Sequence, residues 1–172
     1  MGGSLDALVP DLVDAARALV DAAGRAGLNP RVTSTVRTSS EQRRLYNRFL
    51  AGQAGYPVAP PGFSAHEYGE AFDMVVTPME ALADVGATWL DWGGYWGPGD
   101  AVHFELPGAT ARAKQRGRES PWYVDLAAGL PLSFPLSVVL YFLGIPASAR
   151  TSISPDQERY LRDLAISQGL GR

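Results

Sequence analysis

The sequence predicts an α+β domain, a small antiparallel sheet flanked by helices, followed by an apolar helical extension. Three observations support this. Residues 5–26 carry apolar side chains at helical spacing, three short segments (31–36, 70–76 and 101–106) have strand character, and glycine or proline punctuates the joins.

In the first helix Leu5, Leu8, Val9, Leu12, Val13, Ala16, Leu19, Val20 and Ala23 form one stripe, and Asp11, Asp14, Arg17 and Asp21 lie opposite. Gly24 and Gly27 loosen its end and Asn29-Pro30 stops it. Arg31 to Val36 is β-branched and short, a strand. A second helix is expected from Ser39 or Ser40, turning Leu45, Tyr46, Phe49 and Leu50 inward and ending near Gly52. The prolines and glycines of residues 52–62 make a long loop. In the strand 70–76, Ala71 and Asp73 share one face and Phe72 and Met74 the other. Thr77-Pro78 opens a helix, with Glu80 completing a capping box. Trp89 to Gly99 reads as a loop lining a cleft, and residues 101–106 as a third strand ended by Pro107-Gly108. The basic run Arg112 to Arg118 reads as a solvated face, and Ser154-Pro155-Asp156-Gln157 opens a terminal helix. The expected division is a main domain over 1–108 and an extension over 109–172.

Composition narrows the function. At 172 residues, 46% hydrophobic and 19% charged, the chain can build a core and is not globally disordered. A net charge of -3 without a basic block gives nucleic acid no footprint. There are no cysteines, so disulfides and thiolate metal sites are excluded. Met1 to Asp6 lacks a basic region followed by an apolar run, so no secretory signal peptide is expected.

The chemistry concentrates around the two histidines of the chain. Ser64-x-His66-x-x-Gly69-x-Ala71-x-Asp73 would arise by chance at roughly 10⁻⁶ per starting point. A loop-borne His66 and a strand-borne Asp73 can converge if Gly69 turns the chain tightly, and His103 on a neighbouring strand would complete a facial set. Two imidazoles and a carboxylate suit a hydrolytic zinc ion that keeps its fourth position for water.

This motif, with a later Asp/Glu-x-x-His-Phe segment (Asp100 to Phe104), resembles the zinc peptidases of bacterial peptidoglycan stem peptides. These include VanY-like D-alanyl-D-alanine carboxypeptidases and the L-alanyl-D-glutamate endopeptidases of phage endolysins. The resemblance spans about residues 5–108 and implies a hedgehog/DD-peptidase-like fold with His66, Asp73 and His103 as zinc ligands. It implies Asp100 as general base, with Glu105 the rival base or a partner of a ligand. It implies that Arg37, in Ser34-Thr35-Val36-Arg37, faces the substrate, binding a carboxylate or stabilising the oxyanion. Gln42 and Ser64 are further substrate-side candidates, although a glutamine there more often holds the loop, and Ser64 equally suits bonding the turn. Trp96, in the cluster Trp89, Trp92, Tyr95 and Trp96, either lines the substrate groove or belongs to a small aromatic core. Tyr95 stands where the family often has a polar residue.

The implied reaction is hydrolysis of a stem-peptide bond, the aspartate at position 100 favouring the endopeptidase branch. The expected setting is a phage lysin or a virion tail-associated hydrolase, acting on the cell wall from the virion or from the host cytoplasm. The alternative is a structural virion protein that keeps the fold without activity. Residues 126–149 carry no charge but contain Pro131, Pro135 and Pro146, which suits a hairpin-like segment buried against the catalytic domain or docked on another protein, such as a virion tail, better than association with a membrane.

Overall fold

The structure, a computed structural model, describes residues 3–119. The chain divides into two units, residues 1–38 with 63–115, and residues 39–62 with 116–172.

In the first unit a 3₁₀ turn at Leu5–Ala7 precedes helix α1 (Pro10–Arg25). The single helix expected over residues 5–26 is therefore broken. Proline disfavours helical geometry in the residue before it, and Val9 is extended (φ -62, ψ 149), while Pro10 itself is well suited to open α1. Leu12, Ala16, Leu19 and Ala23 form the buried stripe.

Four strands, β1 (Arg31–Ser34), β2 (Ala71–Val75), β3 (Tyr95–Trp96) and β4 (His103–Glu105), form one sheet in the order β1-β2-β4-β3. Every neighbouring pair is antiparallel. Alternation along the strands gives the sheet two characters. Phe72, Met74 and Phe104 are fully buried and pack with Leu12 and Leu19 of α1 and with Val85 and Trp89 of helix α3 (Leu82–Asp91). Phe72 stacks on Phe104 at 5.3 Å between ring centroids and meets Trp89 edge-on at 5.7 Å. Asp73, His103 and Glu105 alternate with these residues and face the other way.

Three details of the α3 to β4 region differ from the sequence reading. The helix expected from Thr77-Pro78 starts as a 3₁₀ turn at Met79–Ala81, and α3 follows without a side-chain cap. Trp89 lies inside α3 rather than in a loop, and β3 occupies part of the segment read as loop. The return of the chain depends on Gly94. A Cβ there would fall 2.1 Å from Trp89 Nε1, so only glycine lets the backbone cross the indole, which in turn donates to the Glu105 carbonyl at 3.1 Å.

The basic run lies in helix α4 (Ala109–Arg118), where Arg112 and Arg116 are exposed, and Arg112 Nε donates to the buried Glu70 carboxylate at 2.9 Å. The second unit, within the described residues, holds helix α2 (Ser39–Leu50) and the loop after it, with Tyr46 and Phe49 ring centroids 6.3 Å apart. Among the described residues no helix is long and apolar enough to cross a membrane. The apolar segment 126–149 and the terminal helix expected from Ser154 lie outside the described residues.

Phe104 is fully buried between Phe72 and Trp89, so Phe104→Ala should lower unfolding stability by about 3–5 kcal/mol in a denaturant titration of the metal-free protein.

Candidate metal centre

His66 sits in a 3₁₀ turn (Ala65–Tyr68) opened by Ser64 and closed by Gly69 in the left-handed region (φ 69). That glycine lets the chain reverse into β2, where Asp73 follows. The β2–β4 register then places His103 directly opposite Asp73. One local turn and one strand pairing thus bring the three groups together.

Asp73 Oδ1 lies 3.0 Å from His66 Nε2 and 3.1 Å from His103 Nδ1, and the two nitrogens are 3.2 Å apart. The outer nitrogens decide what these atoms are. His66 Nδ1 is 2.7 Å from the Thr35 carbonyl, which can only accept, so Nδ1 carries the proton and Nε2 presents a lone pair. His103 Nε2 is 3.1 Å from the Glu105 carboxylate, which leaves Nδ1 as the inward nitrogen, a ligand once its proton is released. Glu105 is itself held by the Thr110 hydroxyl at 2.7 Å and the Thr110 amide at 3.2 Å.

The second oxygen of Asp73 is also committed. Arg37 Nη2 donates to Oδ2 at 2.7 Å, and Arg37 Nε donates to Ser34 Oγ at 3.1 Å. Oδ1 is left pointing at the imidazoles.

Three ligand atoms within 4.8 Å of one another fit a metal ion. Donors around a tetrahedral zinc, with bonds of about 2.0–2.1 Å, stand about 3.3–3.4 Å apart, so this triangle has to open by only a few tenths of an ångström. Two imidazoles, one carboxylate and no thiolate are a hydrolytic zinc set rather than a structural one. Zinc is the cofactor this site is built for.

Without metal, a proton takes its place. Burial opposes a charge on His103, but hydrogen bonds to Asp73 and Glu105 outweigh it and raise the imidazole to about 9. Burial likewise pushes Asp73 up, but the hydrogen bond with His103 and the charge of Arg37 hold it far below the carboxylate range.

Asp100 closes a 3₁₀ turn (Pro98–Asp100) immediately before β4 and is exposed to solvent. Partial desolvation raises its carboxyl, and repulsion from Asp73 adds to this while the charge of His103 opposes it. Glu105 moves the other way. It is 2% exposed, and the bonds from His103 and Thr110 overcome its burial and lower it. Glu105 is therefore the residue that orients His103.

Two of the substrate-side candidates occupy the structural places that the sequence also allowed. Gln42 is 1% exposed, with Nε2 donating to the Ala59 carbonyl at 2.7 Å, so its amide holds the 51–62 loop. Trp96 pairs with Phe104 on the core face, lies against Gly86 and donates its indole N–H to the Ala101 carbonyl at 2.8 Å. The strand register turns it away from the face that carries Asp73 and His103. Ser64 is buried, and its amide donates to Glu67 Oε2 at 3.4 Å in the turn that carries His66. Thr35 and Thr110 escape sequence reasoning: one acts through its backbone carbonyl, and the other follows the segment in which the motif ends.

The site is a mononuclear metallopeptidase centre on an α+β scaffold. The sequence matches the VanY family, D-alanyl-D-alanine carboxypeptidase, over residues 6–91, and the chain belongs to that family. Asp100 and His103 lie beyond the matched residues and are supplied by the β3–β4 region. Among solved structures, "VanYB in complex with D-Alanine-D-Alanine" is similar at 19% identity and a TM-score of 0.49, covering 65% of this chain and 77% of that one. A VanY D,D-pentapeptidase E175A mutant in complex with Zn(II) matches at 19% identity and a TM-score of 0.49, over 64% of this chain and 78% of that one. An L,D-carboxypeptidase DacB from Streptococcus pneumonia matches at 23% identity and a TM-score of 0.42, over 56% and 66%. No curated protein matches the chain.

Two outcomes follow for metal binding. His103 must be neutral to bind, and in the metal-free protein it stays protonated up to about 9. Zinc uptake at neutral pH should therefore release about one proton, and affinity should rise with pH until it levels off near that value. Calorimetry in buffers of different ionisation enthalpy reads both. Arg37→Ala frees Asp73 Oδ2 and should weaken zinc binding about 10–100-fold in a chelator competition, with the fold unchanged by circular dichroism.

Proposed function

We propose that this protein hydrolyses a peptide bond in bacterial peptidoglycan stem peptides, with zinc held by His66, Asp73 and His103. The observation that carries the reading is the pair of anchored imidazoles, which aim one ring nitrogen each at a single point shared with one carboxylate oxygen. When bound, zinc supplies Lewis acidity at the scissile carbonyl and activates water.

The protein groups do the proton work. Asp100 accepts the proton of the attacking water and returns it to the leaving amine. Its raised carboxyl suits both halves of that exchange, because a base that is too weak takes no proton and one that is too strong returns none. Arg37, anchored on Asp73, places a permanent positive charge beside the reacting carbonyl and supports the developing oxyanion. His66, itself almost fully buried, excludes water from the inner side of the site.

The aspartate at position 100 favours the endopeptidase branch, with cleavage between L-alanine and D-glutamate, whereas the family match favours release of the terminal D-alanine. The masses of products released from purified cell walls separate the two. A phage lysin or virion tail-associated hydrolase is the setting we propose, with the charge-free segment 126–149 as the docking element.

Asp100→Asn should leave zinc stoichiometry at one per chain and lower kcat about 10²–10⁴-fold on the preferred stem peptide. Turnover at the wild-type level would remove Asp100 from the role of base.

A further inference from the structure

We propose that Tyr95 is a substrate-contacting residue forming the sheet-edge wall of the peptide cleft. Its ring covers the small apolar side chains of an alanyl stem peptide, and its hydroxyl hydrogen-bonds the peptide main chain. The proposal deepens the peptidase reading above and rests on it.

The register places the residue. Tyr95 pairs directly with Glu105, and directly opposed residues of an antiparallel pair project to the same face. Glu105 shares its face with His103, which it hydrogen-bonds, so Tyr95 stands on the metal face. Its neighbour Trp96 is opposite Phe104 and belongs to the core face.

Position along the strand brings the phenol closer to the site. His103 is the diagonal cross-strand neighbour of Tyr95, within reach of an aromatic side chain. The ring leans in that direction: its hydroxyl lies 3.9 Å from where a Cβ on Gly97 would stand, at the start of the turn that carries Asp100. Tyr95 thus runs along the open edge of the sheet from the level of Glu105 toward the base.

The side chain is also uncommitted. Trp96 spends its N–H on the Ala101 carbonyl, whereas Tyr95 is 53% exposed and its hydroxyl has no hydrogen-bond partner among the described residues. β3 is an edge strand, and among the described residues no further strand covers it. An exposed aromatic with a free hydroxyl beside a hydrolytic centre can bury its ring on a ligand and satisfy that hydroxyl in the same contact.

The test compares Tyr95→Phe and Tyr95→Ala with the wild type on the stem pentapeptide, reading kcat and KM separately and zinc affinity by chelator competition. Removing the hydroxyl should raise KM about fivefold to tenfold at constant kcat, the value of one hydrogen bond. Removing the ring as well should lower kcat/KM by about a hundredfold, with zinc affinity unchanged in both variants. Wild-type kcat/KM in Tyr95→Ala overturns the proposal. A fall in zinc affinity in Tyr95→Phe would make the residue part of the metal site's support and overturn it as well. A wild-type protein that binds zinc but cleaves no stem peptide would overturn the peptidase reading and this proposal together.

Discussion

Two imidazole rings can offer lone pairs to a common point only if their other nitrogens hold their protons elsewhere. Here a backbone carbonyl, that of Thr35, fixes one ring and the buried carboxylate of Glu105 fixes the other. The rest of the site follows from these two anchors. Asp73 completes the set because strand pairing places it opposite His103, and Arg37 on its outer oxygen leaves one oxygen to face inward. Without the anchors the two rings would be free to turn their inner nitrogens away from the common point.

The scaffold reaches this arrangement by using both faces of the same short strands. Phe72 and Phe104 fill the core beneath α1 and α3, while their sequence neighbours Asp73 and His103 meet above it. Core packing and ligand placement are therefore coupled. A register slip of one residue would move Phe72 and Phe104 to the metal face and bury the ligands. Trp89 reinforces the register, since its indole bonds the Glu105 carbonyl from below while the Glu105 side chain holds His103 above.

The ligand set was legible in the sequence because it is written in side chains whose spacing is unusual: two histidines in the whole chain, one of them within a Ser-His-Gly-Asp pattern. Three of the four strands and the main helices were legible from periodicity and punctuation, since long patterned segments reveal themselves. What escaped has physical causes. Pro10 splits the first helix although the apolar stripe runs through it unbroken. β3 is two residues long, flanked by glycines, and has no periodicity to display. The anchor on His66 is a carbonyl, which any residue at position 35 would provide. Trp96 and Tyr95 are adjacent aromatics, and only the strand register tells which faces the core and which the site.

The same register separates the two carboxylates that the sequence left as rivals. Glu105 lies in β4, buried and bonded by His103 and Thr110, and these bonds hold it ionised as a fixed acceptor. Asp100 lies outside the strand, in the turn before it, where partial desolvation and the nearby charge of Asp73 raise its carboxyl. An acceptor that must never release its hydrogen bond needs a lowered pKa, whereas a group that must take and return a proton needs one shifted toward the working pH. The two environments push the residues apart in opposite directions. Their opposite shifts follow from where the strand begins, Glu105 lying within it and Asp100 in the turn before it.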